Sequence, residues 1–454
     1  MTVIDRGLTI SPDSTYSSVE WRTRPCSTKR QRDLLGRRRH QLMRLRAAIV
    51  CFAAIGVIIS RIATPVSADS LVVRGEIVHT MAGAPLTNGA VLVENGRIAK
   101  VGPATEIAAP PGTRVLSAKV VTPGLIDAHT VIGFTGYLNQ DQDQDQLDPS
   151  ESIQPELRAI DGYNPQEHLV EYVRGYGITT IHTGHAPGAL ISGQTMIVKT
   201  TGNNVEAAVI RPVAMIAATL GESARARGDK KSPGTRSKAV ALLRSELIKA
   251  QNYRKKQASE DEKKRPEPDL RNEAMAQVLA GELPLLVTVH RSADIRTALR
   301  VAKEFDIRLV LDGCAEAYLL TEEIKAAGVP VIVHPTMWRS GRGETENISF
   351  ETASILRRAG IPIAMQSGYE DYVPKTRVVL FEAAVAAANG LSFAEALESV
   401  TIGAARLLGI EARVGSLEAG KDADLALYDG DPFEYTTHCV GVVIDGQVVS
   451  ETAR

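Results

Sequence analysis

The residues of this sequence that could do chemistry are histidines and carboxylates at the ends of short apolar runs. His182 and His185 stand three apart at the end of the run Ile178–Thr183, and His334 closes the run 329–333. Asp312 and Cys314 follow 309–311, while Glu370 and Asp371 follow 361–365. Imidazole, carboxylate and thiolate are the donors that divalent ions take, and a bound ion turns a water molecule into a nucleophile near neutral pH. If these runs are strands whose ends converge on one face, His182, His185 and Asp312 could form a metal site there. The plainer reading is that two or three histidines belong to any polar strand-end face and are simply hydrogen-bonded. Asn139 to Asp148 alternates acid and glutamine like the start of a calcium loop, but Gln146 stands where glycine is needed and Ser152 where a glutamate is needed, so the stretch reads as a solvated loop.

The elements that position these residues follow from periodicity. Between about 120 and 365, apolar runs at 120–126, 178–183, 196–198, 285–289, 309–311, 329–333 and 361–365 alternate with stretches of helical spacing, such as Ala239, Leu242, Leu243, Leu247 and Ile295, Leu299, Ala302. That alternation argues for parallel βα units. Six or seven units fit an eight-fold TIM-type (β/α)8 barrel; the rival, an open doubly wound sheet, lacks a glycine-rich phosphate loop after an early strand. The two chain ends differ from this middle. Asn95-Gly96 and Asp445-Gly446 each sit between short apolar runs, the strongest short hairpin signal, because a type I′ turn needs positive φ at both positions. The expected organisation is an α/β chain with a barrel over 119–410, a small composite β-sandwich from 69–118 and 411–454, and a charged insertion at about 225–271.

Charge and leader bound the function. The chain has 52 Lys+Arg and 53 Asp+Glu; residues 1–68 hold 12 basic against 4 acidic, leaving 40 against 49 and a net charge of about −9 for the rest. Nucleic acid is therefore disfavoured as a partner. Residues 1–68 read as a leader: basic residues at 37–46, an apolar run at 47–59, then Val66-Ser67-Ala68, with cleavage expected after Ala68 and Met1 or Met43 as the start. The apolar run is short for a bilayer span, so contact with a membrane is expected only through an uncleaved leader, and the mature chain is expected outside the cytoplasm, periplasmic or extracellular. Cys314 and Cys439, the two cysteines beyond the leader, lack the spacing of a zinc knuckle. Oligomeric state is not written in these features.

Val121-Thr122-Pro123-Gly124-Leu125-Ile126-Asp127-Ala128-His129 resembles the first barrel strand of the amidohydrolase superfamily, whose motif is a PG(L/I)IDxHxH run. The segments Leu285 to Phe305 and Val414 to Leu425 are similar to it as well, and Gln154 to Asp161 with Ser192-Gly193-Gln194 through Lys199 resemble its exported, imidazolonepropionase-like branch. The likeness runs over roughly residues 70 to 450. It implies hydrolysis of carbon–nitrogen bonds in a small-molecule substrate by a divalent metal, zinc first among the choices, unless the site has been lost. Carried over residue by residue, His129 takes the first position of the HxH pair, Lys199 that of the carboxylated bridging lysine, and His290 that of the fifth-strand ligand. Val131, Thr288, Asp312-Gly313 and Gly368 stand where donors are usual. The expectation is thus a C–N hydrolase with an incomplete metal-ligand set, with His182, His185 and Asp312 as substitutes. The alternative is a non-catalytic amidohydrolase-like barrel that binds a ligand or partner.

Overall fold

The computed structural model describes residues 70–136, 140–225, 233–334, 343–369 and 378–454. The leader, Glu370 and Asp371 lie outside them. The N-terminal segment forms β1 (Ser70–Val78), β2 (Leu86–Glu94), β3 (Arg97–Pro103) and β4 (Arg114–Pro123). Asn95 and Gly96 have φ of 53° and 77°, the two positive values that a tight β2–β3 turn requires. The apolar run 120–126, expected as one barrel strand, is split. β4 continues to Pro123 in the terminal sheet, and the barrel begins at β5 (Leu125–Thr130). Gly124 is the hinge, because a Cβ there would sit 2.1 Å from the Thr179 hydroxyl.

The barrel continues with β6 (Ile178–Thr183), β7 (Ile191–Gln194), β8 (Met196–Lys199), β9 (Val209–Arg211), β10 (Ile216–Thr219), β11 (Leu285–Val289), β12 (Leu309–Gly313), β13 (Val331–Val333) and β14 (Ile363–Met365). β10 to β14 pair in parallel in that order, β5 pairs in parallel with β6, and a parallel bridge between Thr130 and Gly368 joins β14 back to β5. The ring departs from all-parallel geometry at one place. β8 pairs antiparallel with β6 and β7 antiparallel with β10. Only Thr195 separates β7 from β8, so residues 191–199 run as one reversed strand past both neighbours.

Strand alternation sorts the side chains. Ile126, Ile197, Leu286, Val310, Ile332 and Ala364 form one buried apolar cluster with Ile402, Ala405 and Leu408 of the helix Ile402–Leu408. Each such aliphatic side chain contributes roughly 1.5–3 kcal/mol on burial. Their strand neighbours of opposite parity, among them Leu285, Val287, Leu309, Leu311 and Val331, pack outward in the main core with the surrounding helices. The stretch 225–271, expected as an exposed insertion, contributes to that core. Ala239, Val240, Leu243, Leu247 and Ala250 of the helix Arg236–Gln257 are buried in it, while the outer face of that helix and residues 258–269 form the solvated charged surface that the composition suggested.

The chain then returns to the terminal sheet through β15 (Leu425–Tyr428), β16 (Cys439–Ile444) and β17 (Gln447–Ser450). One seven-stranded sheet results, in the order β17-β16-β15-β4-β1-β2-β3, built from both chain ends. Leu71, Val73, Val91, Val121, Leu425 and Val443 share a core beneath it. Asp445 and Gly446 make the second tight turn, with φ of 49° and 77°. The two turns touch: a Cβ on Gly96 would lie 2.8 Å from the Asp445 carbonyl oxygen.

Candidate functional site

Above the apolar floor, the same inward alternation brings up polar side chains: Thr288 and His290 on and after β11, Asp312 on β12, His334 after β13, Gln366 after β14. At their centre is Asp312, fully buried, whose carboxylate gathers groups from three other strands. Its Oδ2 accepts from the Thr288 hydroxyl at 2.5 Å and the Tyr369 hydroxyl at 3.4 Å, and its Oδ1 accepts from Gln366 Nε2 at 2.6 Å. His129 brings Nδ1 within 3.2 Å of Oδ1, an ion-pair distance whose angle is off-line for a hydrogen bond. Burial opposes the charge on Asp312, yet His129, Thr288 and His334 outweigh it and bring the carboxyl down to about 2.

His129 is itself 1% exposed and lies 5.5 Å, ring to ring, from His182 and 5.4 Å from Tyr369. Tyr369 continues to His334 at 5.0 Å, and His334 to His290 at 6.0 Å. The structure thus gathers His129, His182, His290, His334 and Asp312 into one constellation. They are not equally available. His182 uses both nitrogens, Nδ1 on the Ala128 carbonyl and Nε2 on the Thr195 hydroxyl, each at 2.7 Å, and burial pushes its imidazole down to about 3. His185 leaves the group and packs beside Phe134, its ring lodged where Gly193 has no side chain, with burial lowering it to about 4. His290 fits for the same kind of reason, since a Cβ on Gly313 would meet its Cε1 at 2.7 Å. Cys314, at φ 56°, is buried, and burial pushes its thiol well up.

Lys199 is placed at the opposite end of the barrel. Because β8 runs antiparallel to β6, its last residue pairs with Thr180, near the start of β6, rather than with the strand ends at the mouth. There Lys199 Nζ is held by Asp422 at 2.9 Å, Asp424 at 3.0 Å and Asp445, joining the barrel to the terminal sheet. A bridging-lysine role needs a parallel strand ending at the mouth, and that geometry is absent. Val131, 1% exposed, supplies no donor beside His129. Among the described residues, no group of three or more His, Cys, Asp or Glu is disposed to hold a metal ion.

Several mouth residues were not singled out from sequence. Asp127 precedes His129 in the motif; its Oδ1 accepts the backbone N–H groups of His129 at 3.3 Å and Ser367 at 3.0 Å, its Oδ2 has no partner, and burial pushes the carboxyl up to about 7. Gln366 and Tyr369 flank the Gly368 position that drew attention only for a missing donor. Their signal was the register of β14, two residues above Ala364. The rim is tied by Glu344, which accepts from the backbone N–H of Glu222 at 2.7 Å and Ser223 at 3.1 Å, and by Arg236, which reaches Glu222 and Asp294 at 3.0 Å each.

Comparison with known proteins places this arrangement. Residues 372–450 match a model described as the amidohydrolase family, and 89–109 one described as the imidazolonepropionase-like composite domain of bacteria. The amidohydrolase tasK of Hapsidospora irregularis is 26% identical over 401 residues, covering 79% of this chain, which spans 39% of that protein's length. The imidazolonepropionase of Maricaulis maris is 27% identical over 402 residues, 80% of this chain and 93% of that protein. A solved amidohydrolase from Thermotoga maritima superimposes with a TM-score of 0.79 at 29% identity, over 84% of this chain and 100% of its own. With the barrel, the two-ended sheet and the motif around His129 in agreement, the chain belongs to the amidohydrolase superfamily.

Proposed function

We propose that this chain is an exported hydrolase that cleaves a carbon–nitrogen bond of a small amide, cyclic amide or peptide-like substrate, at a barrel mouth whose metal-ligand set is incomplete. The observation that carries the reading is the approach of His129 Nδ1 to Asp312 Oδ1, with Nε2 left free of protein partners. A carboxylate at one imidazole nitrogen favours the proton there and leaves the other as a base toward water. The superfamily draws its hydroxide from one or two divalent ions. The described donors do not fit such a centre: both His182 nitrogens are engaged, Val131 has no donor, and Lys199 is at the far end. No step is therefore routed through a metal. Water adds its oxygen to the carbonyl carbon and its proton to His129, and the same proton passes to the departing nitrogen.

A second reading, a non-catalytic barrel that binds a ligand, is favoured by the buried Val131 and by Gly368 at the end of the strand that closes the ring. The test is turnover of a panel of hydantoins, imidazolones, dihydropyrimidines and dipeptides by tag-free protein, with metal content measured in parallel. Slow hydrolysis that survives chelator and is abolished in His129→Ala supports the first reading. An inert wild-type protein supports the second. Export is tested by N-terminal sequencing of the secreted chain, where a start upstream of Ala47 would count against cleavage after Ala68.

A further inference from the structure

β5 departs from a regular ladder at the residues that lead into His129. Its register with β6 shifts after Asp127, with three steps from Asp127 to Thr130 set against two from Ile181 to Thr183. On its other side it meets β14 through the Thr130–Gly368 bridge, while the Ile126 N–H is taken below by the Val400 carbonyl at 2.8 Å. The peptide between Ala128 and His129 lies inside this irregularity, where a bulge disturbs the exchange of bonds with neighbouring backbone. Side chains hold both of its ends. The His129 N–H donates to Asp127 Oδ1 at 3.3 Å, and the Ala128 carbonyl accepts from His182 Nδ1 at 2.7 Å. A carbonyl only accepts, so the His182 proton is on Nδ1, and Nε2 takes the Thr195 hydroxyl at 2.7 Å. Each holder is fixed from a different strand. Thr195 belongs to the reversed strand 191–199, and Asp127 Oδ1 also accepts the Ser367 N–H at 3.0 Å from beyond β14. All three side chains, Asp127, His129 and His182, are buried.

We infer that Asp127 and His182 are positioning residues that clamp the Ala128–His129 peptide from its two ends, and so set the His129 ring against Asp312 with Nε2 as the base. The His129 ring swings from that peptide, and Nδ1 meets Asp312 Oδ1 at 3.2 Å. Turning the peptide plane moves the ring away from the carboxylate that fixes its proton, and a displacement of about 1 Å costs on the order of a hundredfold in rate. The clamp deepens the proposed function by naming what aims its base, and rests on that reading only for turnover.

The test reads the His129 tautomer from the nitrogen-15 resonances of its ring in the full chain above neutral pH, beside turnover of any panel substrate that the unmodified protein cleaves. The unmodified chain is expected to show one neutral form, protonated at Nδ1. Asp127→Ala and His182→Phe each release one end of the peptide and should mix the two tautomers. Asp127→Asn keeps an oxygen acceptor and should restore the single form. Lys199→Met is the control for lost stability, since it loosens the far end of the barrel and should leave the His129 signature as it was. In turnover, kcat is expected to fall about a hundredfold in Asp127→Ala and His182→Phe with KM unchanged, and Asp127→Asn should return most of it. Should Asp127→Ala fail to fold, His182→Phe carries the same comparison. His129 resonances unmoved by the two releasing variants, a tautomer mixture already present in the unmodified chain, or an equal disturbance in Lys199→Met would each overturn the inference. Tautomer changes in a chain that cleaves no substrate would sink the hydrolase reading and keep the clamp, whereas turnover with an undisturbed His129 in both variants would do the reverse.

Discussion

Lys199, the last residue of barrel strand β8, and Asp424, just before β15, bring their charges to 3.0 Å across 225 positions of sequence. Lys199 is 2% exposed, and Asp422 and Asp424 are nearly as buried, so the cluster joins the barrel floor to the sheet built from the chain ends. Removing the cation leaves the buried Asp424 uncompensated, while Asp422 keeps Arg97 at 2.9 Å and Arg413 at 2.7 Å. Lys199→Met is expected to destabilise the fold by about 3–5 kcal/mol, read from denaturant unfolding, without altering metal content or the His129 resonances. A change in metal content with unchanged stability would return Lys199 to the mouth.

The pH dependence of stability should carry the mark of Asp127. Its folded value of about 7 lies above the ordinary carboxyl value, so the folded chain holds a proton that the unfolded chain has released between about pH 4 and 7. Stability from this group is therefore greatest at or below about pH 4 and falls as pH rises through 7, by an amount on the order of 4 kcal/mol. In Asp127→Asn that decline should flatten, while the amide oxygen keeps the bonds to the His129 and Ser367 N–H groups. Identical slopes for the two proteins in urea unfolding between pH 4 and 8 would count against this account.

Asp312 works in the other direction. Held at about 2, it favours folding above the ordinary carboxyl range and loses that contribution as pH falls toward 2. Asp312→Asn should destabilise the chain at pH 7 by a few kcal/mol, since His129 and the Thr288 hydroxyl lose a charged acceptor. Because His129 and Gln366 both reach Asp312 Oδ1, the same change should shift the side-chain resonances of both residues.

Restoring the missing donors meets the backbone. Val131→His puts an imidazole beside His129, but Gly368 has φ of 87°, where a side chain is strained by about 1–3 kcal/mol. The double variant Val131→His, Gly368→Asp is expected to bind zinc more tightly than wild type while melting several degrees lower. Zinc affinity no higher than wild type would show that position and not only donor type has been lost.

The shared sheet makes a prediction about its far edge. β15 lies between β16 and β4, and β4 in turn pairs with β1. Deleting 440–454 strips one partner from β15 and takes Asp445 from Lys199. Hydrogen exchange in 71–101 should then rise at least tenfold. Unchanged protection there would mean that the N-terminal strands stand without the C-terminal ones.

Local chemistry determined much of this in advance. Two adjacent residues able to take positive φ make a tight hairpin wherever they sit between apolar runs, so Asn95-Gly96 and Asp445-Gly446 announced the terminal sheet. Apolar runs at 285–289, 309–311 and 361–365, separated by stretches of helical spacing, likewise announced strands of parallel βα units. Strand direction was the part no period could carry, because an alternating run reads the same whichever way the strand pairs, and the reversal of 191–199 moved Lys199 from the expected mouth to the opposite end. The division at Gly124 was equally invisible, since it depends on Thr179 arriving from another strand. The role of Asp312 belongs to the same class. Its four neighbours come from β5, β11 and the end of β14, and only closure of the ring through Thr130 and Gly368 brings them within bonding distance of one carboxylate.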